Sequence, residues 1–93
     1  METYVILATF AEPGKMKPEE TGQVVALVEQ TAKGLGISLS TWLVLQGKYD
    51  SVLIFQATNA GTAMKFAVFL SANGMRTQTM RAFTLQEAAT YLS

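Results

Sequence analysis

The chain has 93 residues, 49% hydrophobic and 15% charged, with seven basic against seven acidic side chains and a net charge of zero. One domain, 1–93, is the expectation at that length, and the balanced charge excludes a general nucleic-acid binder or an electrostatic membrane binder, both of which need a basic face. Cysteine and histidine are absent, which removes disulfides, thiolate chemistry, the usual near-neutral general base and the commonest transition-metal ligand.

Met1-Glu2-Thr3-Tyr4 carries no basic n-region, so no signal peptide is expected. No apolar run approaches about 18 residues, so no membrane span is expected and a soluble cytoplasmic protein is the default. Residues 4–10, YVILATF, are a continuous apolar run rich in β-branched and aromatic side chains and predict a strand with two apolar faces. Tyr4, Ile6, Ala8 and Phe10 share one face; Val5, Leu7 and Thr9 share the other. Pro13-Gly14 reads as a turn, and Pro18-Glu19-Glu20 suits the first turn of a helix.

Val24, Leu27, Val28, Thr31 and Leu35 recur at helical spacing, which predicts an amphipathic helix over 19–35, closed by Gly34 and Gly36. Residues 37–46, ISLSTWLVLQ, alternate: Ile37, Leu39, Thr41, Leu43 and Leu45 on one side, Ser38, Ser40, Trp42, Val44 and Gln46 on the other. SVLIFQA, 51–57, is a third strand, and the short link between the two predicts an antiparallel hairpin. Asn59 and Thr62 open a second helix over 60–73, with Ala63, Phe66, Ala67 and Leu70 inward and Asn73-Gly74 at its end. MRTQTMRAF, 75–83, is a fourth strand, on which Arg76 and Arg81 fall on opposite faces. Thr84-Leu85-Gln86-Glu87 has capping-box spacing and predicts a short final helix through Tyr91.

The order β-α-β-β-α-β plus a terminal helix predicts an α+β, ferredoxin-like sandwich with a four-stranded antiparallel sheet. Both main helices then cover one face of the sheet. The other face is apolar enough to need cover, and the charged fraction is well below the about 25% of an average globular chain. The simplest cover is a second copy packed sheet to sheet about a two-fold axis. A cavity between the sheets is then the default ligand site, with a solidly packed dimer core as the alternative.

The link Gly47-Lys48-Tyr49-Asp50 has two readings. As a turn, Gly47 supplies a positive φ, Asp50 accepts from amides of its own turn, and Tyr49 buries its ring with its hydroxyl paired. As a site, Tyr49 and Asp50 sit at the cavity mouth, Tyr49 donating a hydrogen bond and Asp50 acting as a base raised by burial. An inward-facing Arg76 or Arg81 needs an anion: Asp50, Glu87 or a ligand carboxylate. Trp42 is either a cavity wall or an interface anchor. Met64, Met75 and Met80 read as gap-fillers. No metal site or cofactor is expected, and a haem would have only Tyr or Met as axial ligands.

Three stretches resemble the GYD-domain family. Gly47-Lys48-Tyr49-Asp50, after TWLVLQ and before SVLIF, is similar to that family's G-x-Y-D signature. YVILATF with Pro13-Gly14-Lys15 is similar to its first strand and loop, and GMRTQTMRAFT, 74–84, to its final strand. The resemblance spans nearly the whole chain and implies a dimeric α+β barrel, but no reaction. The wider barrel class includes cofactor-free monooxygenases, haem-handling proteins and small-ligand regulators, a likeness of fold alone. The family often carries an acidic residue at the exit of the third strand, where Gln56-Ala57-Thr58 stands here.

The function expected is a homodimeric module, or a multiple of dimers, that binds a small apolar molecule or serves assembly. Its ligand residues would be Trp42, Tyr49, Asp50, Arg76 and Arg81. The alternative is a cofactor-independent enzyme for a small aromatic or carbonyl compound, with Tyr49, Asp50 and an arginine converging in one cavity. A purely structural dimer is the third reading.

Overall fold

The computed structural model describes residues 1–10 and 21–93. Among these, β1 (Glu2–Phe10), α1 (Thr21–Gly34), β2 (Ser38–Val44), β3 (Ser51–Ala57), α2 (Ala60–Ala72), β4 (Met75–Ala82) and α3 (Leu85–Leu92) follow in order. The Pro13-Gly14 turn and the Pro18-Glu19-Glu20 helix start lie outside the described residues. The four strands form one antiparallel sheet in the order β2-β3-β1-β4. This is the ferredoxin-like arrangement that the element order predicts.

The helices start and stop where side chains or returning backbone amides satisfy their free backbone groups. α1 closes on Gly36, at φ 72. The Ile37 N–H donates to the Ala32 carbonyl at 2.8 Å and the Gly36 N–H to that of Lys33 at 3.0 Å, a Schellman closure. Asn59 caps α2 by accepting from the Thr62 N–H at 2.9 Å. Thr84 and Glu87 cap α3 reciprocally, at 3.1 and 2.9 Å.

The core lies between the helices and one face of the sheet. Tyr4, Ile6 and Ala8 of β1 and Leu53, Phe55 and Ala57 of β3 are buried there against Val28 and Ala32 of α1 and Ala63, Phe66 and Leu70 of α2. Phe55 is its pivot: it stacks on Tyr4 at 5.7 Å and meets Phe66 edge-on at 5.2 Å. Leu27, expected on the buried face of α1, is 45% exposed. The buried stripe runs through Val28 and Ala32, and Leu27 falls one residue round the helix from it.

β2 departs from strict alternation. Its register shifts between Leu39 and Thr41, so Leu39 faces Phe55 across the ladder while Trp42 faces Leu53. Ser40 is the extra residue of a β-bulge, and its hydroxyl donates to Gln56 Oε1 at 2.6 Å. Directly opposed residues share a face. Leu39, Trp42 and Val44 therefore lie on the helix side, and Ser38, Thr41 and Leu43 on the open side. The expected grouping of Leu39 with Thr41 and Leu43 is corrected by this one inserted residue.

Among the described residues, no helix lies over the open face. Val5 and Leu7, Val52 and Ile54, Leu43 and Met80 occupy its middle, one group per strand. Among the described residues, no helix is long and apolar enough to cross a membrane.

Candidate functional site

The β2–β3 link, residues 45–50, is closed by one backbone bond of its own and is fixed to the end of β1 by two more bonds. Asp50 N–H donates to the Ala8 carbonyl and Asp50 C=O accepts from Leu45 N–H, both at 2.8 Å. The Asp50 carboxylate then accepts from the Phe10 N–H at 2.7 Å. The β1–β3 ladder ends at Ala8 opposite Ser51. Beyond that point β1 has no strand carbonyl on this side, and the carboxylate takes its place. The turn reading has Asp50 bond amides of its own turn; its acceptor role is instead long-range. Gly47 has φ 149, the positive value expected of it.

Tyr49 turns the other way. Its hydroxyl donates to Gln78 Oε1 at 3.1 Å. Gln78 lies opposite Leu7 on the open face, so the Tyr49 side chain reaches across β1 from the link to β4. Lys48 Nζ stands 5.7 Å from the centre of the Tyr49 ring, a cation–π contact. Arg76, exposed, shares that face and that end of β4, opposite Thr9.

Asp50 contributes to a recess of about 240 Å³ on the helix side. Phe10, Trp42 and Met75 supply its aromatic and thioether wall, and Val24 and Val25 of α1 its roof. Val44 stands at its edge, and its polar groups come from Asp50, Ser51 and Glu29. The sequence places the default ligand cavity between paired sheets; this recess, formed within a single chain, lies on the opposite side of the sheet.

Arg81 stands apart from both places. It is half-buried at the far end of β4, opposite Tyr4. Its guanidinium donates to the carbonyls of Thr3, at 3.0 Å, and Ala82. It also lies over the rings of Phe83, at 4.3 Å, and Tyr4, at 5.5 Å. The Tyr4 hydroxyl donates to Glu2 Oε1 at 2.5 Å. That bond, followed by burial, raises the phenol above its ordinary pKa. Glu87 is held below the usual carboxylate value, first by the Thr84 N–H, then by the Thr84 hydroxyl, with Arg81 adding a smaller pull.

The five residues proposed from sequence thus divide three ways. Trp42 and Asp50 meet in the recess, Tyr49 and Arg76 share the open face, and Arg81 belongs to a structural cluster. The convergence of Tyr49, Asp50 and an arginine on one cavity, which the enzyme reading requires, is not formed within the chain. Among the described residues no group of His, Cys, Asp and Glu could hold a metal ion. Sequence reasoning missed Gln78 as the partner of Tyr49, and Phe10, Val44 and Met75 as recess residues. Phe10 was legible from its parity with Tyr4, Ile6 and Ala8; Val44 was not, because the bulge reverses its face.

A GYD domain family model matches residues 4–92. No curated protein matches the chain. Among solved structures, FFRP-DM1 is similar at 17% identity and a TM-score of 0.61, over 89% of this chain and 100% of that one. The 30S ribosomal protein S6 from Thermotoga maritima is similar at 17% identity and a TM-score of 0.62, over 98% of this chain and 96% of that one. At that identity the likeness is one of fold.

Proposed function

The chain belongs to the GYD domain family, and from that premise we propose that it is a homodimeric assembly module, paired through the open face of its sheet. The observation that carries this reading is the apolar centre of that face. Val5, Leu7, Val52 and Ile54 lie on the inner strands with no helix of the described residues above them, and Leu43 remains 53% exposed and Met80 38% exposed. Polar side chains ring the patch: Thr3, Ser38, Gln56, Arg76 and Gln78. An isologous contact sets each such patch on its own copy, so apolar centre meets apolar centre. The zero net charge adds no long-range repulsion between copies.

The test is molar mass by light scattering over roughly hundred-fold dilution, with native mass spectrometry on the same sample. Twice the chain mass of 10.1 kDa, or a multiple of that, is expected. A folded monomer throughout overturns the reading.

A second reading, binding of a small apolar molecule, is favoured by the recess beneath α1. An apolar cavity of about 150 Å³ is known to hold benzene. A recess of about 240 Å³ walled by Phe10, Trp42 and Met75 suits one substituted ring. Trp42 is the single tryptophan, so its fluorescence reports the site directly. Titration with p-cresol is expected to change Trp42 emission saturably in the native protein and not in the chain unfolded in urea. Emission unchanged in the native protein removes this reading.

A further inference from the structure

α3 presents its two faces in the reverse of the usual order. A helix in a monomeric domain buries its leucines and shows its polar side to water. Here Leu85 is 90% exposed and Leu92 86% exposed, and no residue of α3 is buried. Leu85, Ala89 and Leu92 follow at steps of four and three residues and so form one stripe. All three are exposed, while Glu87 and Ala88 are the half-buried members of the helix. Tyr91, itself 72% exposed, meets Phe83 edge-on at 5.4 Å. Glu87, Ala88 and the ring of Tyr91 hold α3 to the chain, and the leucines are turned away.

A helix of 8 residues also does not sustain itself. Isolated helices shorter than about 12–15 residues are marginal in water, and one capping box adds only about 1 kcal/mol. α3 therefore needs a surface for the stripe that the described residues do not provide.

We infer that α3 is a docking arm whose Leu85–Ala89–Leu92 stripe packs against a second copy of the chain, beside the paired sheets. This rests on the homodimer proposed above. The area of the sheet points to the occupant. Strands about 4.8 Å apart and about 3.3 Å per residue give a four-stranded, seven-residue face a flat area on the order of 400 Å². A standard stable interface buries about 800 Å² per partner. A face covered by side chains has more accessible surface than its flat area, yet a sheet of this size makes a small interface, and the arm supplies further apolar area from the same chain. It also leaves the sheet directly: β4 ends at Ala82, whose open-face neighbour on that strand is Met80, and α3 begins at Leu85. The charge of α3 argues against a membrane as occupant. It contains no Lys or Arg, which interfacial helices carry on their polar face.

The test uses the full chain with Leu85→Ser and Leu92→Ser together. Both side chains are exposed in the single chain, so the variant is expected to keep the circular dichroism of the sheet and of α1 and α2 as a monomer, with any loss confined to the 8 residues of α3. Its dimer dissociation constant, by sedimentation equilibrium, is expected to rise about tenfold or more. A second variant, Leu92→Cys, carries a unique thiol because the chain has no cysteine. Labelled there with benzophenone maleimide and irradiated, it should give covalent dimer. An unchanged dissociation constant, or cross-links confined to one chain, overturns the arm and leaves sheet pairing standing. A wild-type chain that is monomeric at every concentration overturns both. Labelled Leu92→Cys chain that sediments with phosphatidylcholine vesicles and gives no covalent dimer overturns the arm in favour of a lipid surface.

Discussion

The Asp50 carboxylate accepts the Phe10 N–H at 2.7 Å, across a separation of 40 residues in the chain. It joins the β2–β3 link to the last residue of the first strand, and it sets Asp50 beside Trp42 in the recess. Asp50→Ala leaves that N–H without its acceptor, at an expected loss of about 1–3 kcal/mol. Asp50→Asn keeps an acceptor oxygen and should lose less. Urea unfolding of both variants measures this; equal losses would show that charge, rather than the acceptor, matters.

Gly47 stands at φ 149, and a methyl group on its Cα would meet open space. The objection to a side chain there is therefore backbone conformation alone. Gly47→Ala is expected to lose more than about 1 kcal/mol of stability. Trp42 fluorescence in the native protein should stay unchanged, since the recess is walled by other residues. A neutral Gly47→Ala would mean that the link adopts another path in solution.

Leu53 and Ile54 are neighbours in sequence with opposite surroundings. Leu53 is fully buried beneath the helices, so Leu53→Ala should lose about 2–5 kcal/mol. Ile54 is half-buried on the open face. Ile54→Lys would set two charges against each other across the proposed two-fold contact and should give a folded monomer. Light scattering with circular dichroism reads both quantities; an Ile54→Lys dimer as tight as wild type would contradict sheet pairing.

Two groups give stability opposite pH slopes. Glu87 is held below its ordinary pKa of 4.5, chiefly by Thr84. Its contribution is present above that value and lost as pH falls through the lower folded value. Tyr4 is held above 10.0, chiefly by Glu2. Its contribution is present below that value and lost as pH rises through the higher folded one. Glu87→Gln should flatten the acid limb of a stability profile, and Tyr4→Phe the alkaline limb. Limbs identical to wild type would contradict these assignments.

The order of elements was legible because its punctuation is local. Gly36, Asn59 and the Thr84–Glu87 pair each act within a few residues of themselves, and each ends or starts a helix as its chemistry dictates. The side of the sheet on which Trp42 and Val44 lie was not legible. It depends on the bulge at Ser40, and ISLSTWLVLQ reads as unbroken alternation. The partners of Asp50 and Tyr49 were hidden for a different reason. Phe10 and Gln78 lie 40 and 29 residues away and meet them only once strand order is set. An inward Arg81 reads from the sequence as needing an anion, yet carbonyl oxygens and the faces of Phe83 and Tyr4 satisfy most of it.

The bulge in β2 has a consequence for what this chain does when crowded. β2 is an outer strand, so a row of its N–H and C=O groups faces outward with no partner strand. A straight outer strand would let one sheet extend into the next, molecule after molecule. The extra residue at Ser40 bends that border and breaks its repeat. A chain with this much apolar surface is thereby steered away from ribbon-like polymers, and in the pairing proposed above its stickiness is left to a face that closes after a single contact.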